Sequence, residues 1–339
     1  MSVREAIARV TEDKDVPEKV LEAAFGEIMV GQATPAQVAA LLVGMRMKGE
    51  TVAEIVAVAK ALRAAATTAT VPFSNVVDTC GTGGSGQSTF SISTTSAFVV
   101  AGAGVPVAKH GNRAASSQTG SFDTLEALGV GIDLPIERCA AILEKVGIAP
   151  FFARTAHPAF RHVGPVRSEI GVRTLLNCLG PLLNPVGARN QIVGVFSRSL
   201  VEPLAEALGI LGADRALVVH GSDGLDEITT TGPTHAALAE AGGVEVIEID
   251  PLEFGIPRAV AEDLAGGDAA ENAEILRGVL SGEIGPRRDI VCLNAAGALW
   301  AARAATGIGE GLEIAAKSID SGAAAGKLDA LIDATRAMD

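Results

Sequence analysis

Up to about residue 70 the apolar positions recur every three to four residues, as in Val20, Leu21, Ala24, Phe25, Ile28 and Met29. That is the spacing of amphipathic helices. Start signals fall in register with it. Thr34 followed by Pro35 reads as an N-cap with proline at the first helical position, and Thr51 with Glu54 three residues on reads as a capping box. After Thr70 the pattern changes to short β-rich runs, Asn75 to Asp78, Val105 to Lys109, Gln191 to Phe196, Ala216 to His220 and Val244 to Ile249, separated by glycine loops and Ala/Leu-rich helices. The fold class predicted is α/β: a small all-helical domain followed by a large α/β domain with a mainly parallel central sheet. Ligands of such sheets gather at the carboxyl ends of the strands, which directs attention to the loops after Asp78, Ala108, Phe196 and His220. The Ala-rich stretch 298 to 325 predicts helix and loop, broken at Gly307, Gly309 and Gly311.

Composition narrows the class. The 339 residues suffice for two domains or one large one, and 48% apolar content with 39 glycines and no tyrosine describes a core of small, closely packed side chains. A formal charge of -13 repels nucleic acid and anionic membranes, so an anionic ligand requires a locally basic site. Cys80, Cys139, Cys178 and Cys292 stand far apart with no paired spacing, which predicts neither a zinc site nor a disulfide framework and suits a reducing cytoplasm. The charged start Met1-Ser2-Val3-Arg4-Glu5 lacks the apolar core of a signal peptide, and no apolar run reaches membrane-spanning length. A soluble, unprocessed cytoplasmic protein is expected.

Candidate chemistry begins where the strand Asn75-Val76-Val77-Asp78 runs into Gly81-Thr82-Gly83-Gly84-Ser85-Gly86, with Ser91-Ile92-Ser93-Thr94 opening an apolar helix. Backbone N–H groups freed by glycines, together with the positive end of a helix, make an anion cradle. Gly81-x-Gly83-x-x-Gly86 also matches a dinucleotide fingerprint, but no acidic residue for a ribose occurs from Thr79 through Phe122. Gly81 to Ser88 resembles a Walker loop except that Gln87 replaces the phosphate-binding lysine. A glycine turn without a ligand is the remaining alternative. Against it, the acid-free stretch 79 to 122 carries Lys109, His110 and Arg113, in a second donor-rich loop that can close over the same anion.

Further on, Leu217 to His220 delivers Gly221-Ser222-Asp223-Gly224-Leu225-Asp226-Glu227, three carboxylates in a short turn. Such ligands suit magnesium bridging to substrate phosphates, although an acidic turn capping the next helix has the same composition. Arg167, within a basic, proline-rich segment from His157 to Arg167, could pair bidentately with a carboxylate or simply sit at a helix start. His157 and His162 show no metal-ligand pattern and are expected to make local hydrogen bonds.

Taken in order, Asp78 to Gly86, Ser91 to Thr94, Lys109 to Ser121, Arg167, Asn177 to Pro185 and Gly221 to Glu227 resemble the motif set of the anthranilate phosphoribosyltransferase family. The stretches Gly266 to Ala273 and Asn294-Ala295-Ala296 extend the resemblance over nearly the whole chain. It implies a fold of nucleoside phosphorylase/phosphoribosyltransferase type: a helical domain over 1–70, completed by helices near 170–188, on an α/β domain of 71–169 and 189–339. Homodimers would be joined through the helical part. The implied substrates are phosphoribosyl diphosphate (PRPP) and anthranilate, and the implied cofactor is Mg2+. By matching positions, Gly81, Gly84, Ser85, Thr89, Ser91, Ser93, Thr94, Lys109, Asn112, Ser117 and Ser121 would bind PRPP. Gly81, Asn112 and Arg167 would bind anthranilate, and Ser93, Asp226 and Glu227 would serve the metal.

The reaction the resemblance implies moves the phosphoribosyl group onto the amine of anthranilate, a step of tryptophan biosynthesis. Anthranilate's amine is neutral at pH 7, so leaving-group stabilisation and positioning dominate and no side chain is assigned as acid, base or nucleophile. This sequence has Ser85 where the family commonly has Asp, Ser91 where Asn is common, and Gln118 where Lys is common. All three changes alter the charge balance around the diphosphate. A transferase with another aromatic acceptor, a pyrimidine nucleoside phosphorylase and a non-catalytic PRPP-binding module are the alternatives. The acidic pair argues against the phosphorylase, and Arg167 against the last.

Overall fold

A computed structural model describes residues 2–114 and 119–336. Four helices open the chain: α1 (Ser2–Thr11), α2 (Glu18–Met29), α3 (Pro35–Lys48) and α4 (Val52–Ala64). Both start signals form as read. The Thr34 hydroxyl accepts from Gln37 N, and the Thr51 hydroxyl accepts from Glu54 N while the Glu54 carboxylate accepts from Thr51 N at 2.9 Å. Glu54 does more than cap. It is fully buried and also accepts from Val16 N and from Lys48 Nζ, both at 2.9 Å, tying three segments together.

The remaining elements follow in the order β1 (Val77–Asp78), α5 (Ile92–Gly102), β2 (Val107–Gly111), α6 (Ser121–Ala127), α7 (Ile136–Val146), β3 (Ile148–Phe152), α8 (Ala153–Ala156) and α9 (Gly164–Ile170). Then come β4 (Asn190–Gly194), α10 (Val201–Ile210), β5 (Arg215–Gly221), the hairpin β6 (Thr234–Glu240) and β7 (Gly243–Ile249), and α11 (Ala269–Leu280), α12 (Pro286–Ala301), α13 (Ile308–Asp320) and α14 (Ala323–Arg336). The sheet runs β3-β2-β1-β4-β5-β6-β7, parallel from β3 to β5, with β6 antiparallel to both neighbours. Val77 pairs with Val107 on one side and Asn190 on the other, so the strand order reverses at β1, and this is where an α/β sheet opens a crevice.

Two apolar cores flank the sheet. One gathers α5, α7 and α11 to α14 on one face. The other runs from α1–α4 through Leu175 to Leu183 and α10 to Val193, Val218 and Ala237 on the opposite face, so the core of the helical unit is continuous with the sheet.

Several expectations need correction. The sequence pattern does not predict strands β3 and β6. The expected helices near 170–188 are the end of α9 and the short 3-10 turns Leu175–Asn177 and Gly180–Leu183. Gly309 and Gly311 do not break the 298–325 stretch. Both lie inside α13, where a Cβ on Gly311 would come within 2.8 Å of Ala296, so that glycine permits close helix packing.

Candidate active site

At the switch point the ends of β1, β4 and β5 meet. Gly81 packs on Gly194, and a Cβ there would lie 3.1 Å from the Gly194 carbonyl and 3.3 Å from Asp226 Oδ2. Thr82 N donates to Gly194 O at 2.8 Å, and the Thr82 hydroxyl accepts from Phe196 N at 3.1 Å, which fastens the glycine loop to the end of β4. Gly83 and Gly84 then turn with φ of +64° and +82°, a region that side chains disfavour. Gln87, at the place of the Walker lysine, donates to Asp223 O at 2.9 Å and so joins the loop to the acidic turn.

The three carboxylates of that turn divide. Asp223 is spent on structure, accepting from Thr229 and Thr231 hydroxyls at 2.6 Å each and from Leu225 N at 3.1 Å. Asp226 and Glu227 instead line a cavity of about 10 Å³ with Thr79, Gly81, Ser93, Ser96, Ile192, Gly194 and Asn294. That is space for a water or a small ion. Burial raises both carboxyl pKa values, Glu227 to about 8 with the Asp226 charge adding to the effect. The Ser85 hydroxyl and the Gly83 N–H oppose the shift at Asp226, while Lys109 and the Ser93 N–H, at the start of α5, oppose it at Glu227. Two adjoining buried carboxylates with so little compensation fit a divalent cation. Among the described residues no three His, Cys, Asp or Glu side chains form a metal cluster, so an ion here would complete its shell from Ser93, water and substrate oxygens.

Lys109 is buried, donates to the Thr79 hydroxyl at 3.3 Å, and has its pKa lowered by burial against the pull of Asp78 and Glu227. Asp78 lies beneath, accepting from His110 N at 3.1 Å and Asn184 Nδ2 at 2.8 Å, with burial raising its pKa to about 6. His110 Nδ1 meets the Phe151 carbonyl at 2.9 Å and therefore carries the proton, leaving Nε2 to accept from His157 Nε2 at 3.3 Å. His162 accepts from Arg161 Nε at 3.3 Å. His157 and His162 are thus local hydrogen bonders, as expected.

The other anticipated positions are spread around this centre. Thr94 is fully buried in the first turn of α5 with an unpartnered hydroxyl. Ser91 meets the Thr124 hydroxyl at 2.7 Å, and Thr89 bridges to Ala265. Asn112 is exposed, and its carbonyl accepts from Ser121 Oγ at 3.4 Å. Gly84 offers its carbonyl to Arg173. Ser117 and Gln118 lie outside the described residues. Arg167 is the fourth residue of α9, half-buried, its guanidinium pKa lowered by burial, with no acidic partner among the described residues. Gly194, Ser96 and Arg173 are not predicted by the sequence pattern, and Asn294, part of the resemblance, has no site role there. Only Gly194 leaves a local signal, a glycine in the strand run Gln191 to Phe196, which marks close backbone approach.

The chain is similar to known proteins over nearly its whole length. The profile of the "Glycosyl transferase family, helical bundle domain" matches residues 4–66, and that of the "Glycosyl transferase family, a/b domain" matches residues 74–325. The anthranilate phosphoribosyltransferase of Rubrobacter xylanophilus is 52% identical over 98% of this chain and 98% of its own. The crystal structure of the Thermus thermophilus anthranilate phosphoribosyltransferase superposes with a TM-score of 0.93 at 42% identity, covering 99% of each chain. The Saccharomyces cerevisiae enzyme, in complex with PRPP and Mg, superposes at 0.91 with 26% identity, covering 99% of this chain and 98% of its own. The chain belongs to the anthranilate phosphoribosyltransferases, within the glycosyl transferase family that the two profiles describe.

Proposed function

We propose that this chain transfers the phosphoribosyl group of PRPP to the amine of anthranilate, releasing diphosphate. The observation that carries the reading is the small acidic cavity at the β1/β4 switch point, where Asp226 and Glu227 face the glycine loop. Ser93, Asp226 and Glu227 would hold Mg2+, which would supply charge stabilisation to the diphosphate. Gly81, Gly84, Ser85, Thr89, Ser91, Ser93, Thr94, Lys109, Asn112, Ser117 and Ser121 are the proposed PRPP residues. Lys109 brings a desolvated ammonium, strong toward phosphate because water is excluded around it. The Ser93 N–H and its neighbours at the start of α5 present the positive end of a helix.

Anthranilate is assigned to Gly81, Asn112 and Arg167. A half-buried guanidinium with no acidic neighbour among the described residues is suited to a ligand carboxylate. Held there, the neutral amine attacks C1 of the ribose as the C1–O bond to diphosphate breaks, and the proton the new C–N nitrogen sheds passes to diphosphate or solvent, so the residues orient and stabilise rather than exchange protons. The same reading divides the chain into a helical domain over 1–70, completed near 170–188, and an α/β domain over 71–169 and 189–339. It assembles the chain as a homodimer through the helical part, in the cytoplasm, where the four buried, free cysteines stay reduced. Among the described residues no helix is long and apolar enough to cross a membrane.

The test is turnover: loss of anthranilate fluorescence on mixing the protein with anthranilate, PRPP and Mg2+. Absence of turnover at high concentrations of both substrates refutes the proposal. Arg167→Ala should raise the anthranilate KM at least tenfold, the loss expected for a charge-assisted pair of roughly 1.5–3 kcal/mol, and leave PRPP binding nearly unchanged. An unaltered anthranilate KM removes Arg167 from the acceptor site.

A further inference from the structure

Arg173 stands two residues beyond Gly171, the left-handed glycine that ends α9, and reaches back across the crevice to the glycine loop. Its Nη2 donates to the Gly84 carbonyl at 2.5 Å, and its guanidinium lies over the Phe196 ring at 4.4 Å from the centroid. Among the described residues it has no acidic partner, and it is exposed, so ordering this long side chain is not repaid by burial. What it orders is a conformationally permissive turn, that of Gly83, Gly84 and Gly86, all at positive φ.

The consequence follows from peptide geometry. In a trans peptide the C=O and the next N–H point in opposite directions. With the Gly84 carbonyl drawn to Arg173, the Ser85 N–H is aimed away from it, a donor of fixed direction that no described group accepts. Phe196, the other half of the clamp, is itself tied to the loop by its N–H to the Thr82 hydroxyl at 3.1 Å.

We propose that Arg173 is a positioning residue that presets the Gly83–Gly84–Ser85 turn so that its N–H groups receive the diphosphate. The inference rests on the reading of the loop as the diphosphate site. Arg173 acts through the loop backbone, and its removal raises the entropy that PRPP must offset on binding.

The experiment compares the full chain with Arg173→Met and Arg173→Lys, measuring Mg2+-PRPP binding by calorimetry, the two substrate KM values, kcat and thermal midpoint. Arg173→Met should weaken PRPP about tenfold, the loss of one charge-assisted hydrogen bond, with kcat and anthranilate KM within about twofold of the parent. The thermal midpoint should stay within about 2 °C, since the site is exposed. Arg173→Lys keeps a donor and a cation for Phe196 and should recover PRPP binding to within about threefold. Equal PRPP affinity in parent and Met variant overturns the role of Arg173 while leaving the site reading intact. A parallel rise of both KM values, or a collapse of the thermal midpoint, also overturns it, as general structural damage. If the parent chain itself binds no PRPP, the site reading falls and the inference with it.

Discussion

Gly194→Ala puts the geometry of the switch point to a direct test. A Cβ on Gly194 would stand 1.6 Å from the Asp226 carbonyl oxygen and 2.4 Å from its carbon, where real Cβ contacts essentially never fall below 3.0 Å. The turn or β4 must therefore retreat by roughly 1.4 Å, the difference between those separations, and the obstacle is backbone rather than a flexible side chain. The turn is not free to move. Asn294 Oδ1 accepts from Ile228 N at 2.9 Å and Asn294 Nδ2 donates to Ile228 O at 2.8 Å, while Asp223 is held by Thr229 and Thr231. Overpacking of this kind costs about 1–3 kcal/mol, and each hydrogen bond yielded adds about 1 kcal/mol, so unfolding free energy should fall by about 2–4 kcal/mol. Displacing Asp226 by about 1 Å should lower kcat/KM for PRPP about 100-fold. Urea denaturation and the anthranilate fluorescence assay report the two effects separately. A variant with parental stability and turnover would show that the Asp226 carbonyl does not lie over Gly194.

Glu54→Ala removes at once the cap of α4, the acceptor of Val16 N and one of the two carboxylates on Lys48, Asp15 being the other, and should lower unfolding free energy by about 3–5 kcal/mol in urea; a loss under about 1 kcal/mol would refute its role as a tie. His110 and His157 are held neutral, with pKa values pushed down by burial to about 3 and about 4. The unfolded chain takes up their protons below about pH 6.5, so this contribution is complete above that pH and declines as pH falls toward 4, by about 1.4 kcal/mol per unit for each histidine. Asp78, raised to about 6, works in the opposite sense, its contribution being lost as pH rises through that value. The comparison must therefore be between His157→Gln and its parent across the same pH series: the variant should show the shallower acid slope, and identical slopes would contradict the burial argument.

Much of the molecule is legible in sequence where the signal is local. The caps at Thr34 and Thr51 and the run into β1 each lie within a few residues and form as read. Strand β3 hides because Pro150 argues against a strand interior, yet β3 is an edge strand paired only with β2, where a missing N–H is tolerated. Strand β6, Thr-His-Ala-Ala-Leu-Ala-Glu, has helix-forming composition, and only its antiparallel pairing between β5 and β7 overrides it. Within the site, composition cannot separate Asp223 from Asp226 and Glu227, since the distinction lies in which carboxylate the Thr229 and Thr231 hydroxyls satisfy. Arg173 and Gly84 are 89 residues apart, joined only by the fold.

The contact of Gly81, Gly194 and Asp226 also bears on how this site can change over generations. Its floor is backbone against backbone: a Cβ on Gly194 would strike the Asp226 main chain outright, and one on Gly81 would press on the Gly194 carbonyl at 3.1 Å. Ser85 stands on the rim, touching Asp226 through a hydroxyl that can be exchanged without moving the chain. A residue on the rim, unlike one on the floor, can therefore change its side chain without a main-chain clash. Differences in metal or diphosphate affinity can arise by single substitutions at such positions while the architecture beneath them stays fixed.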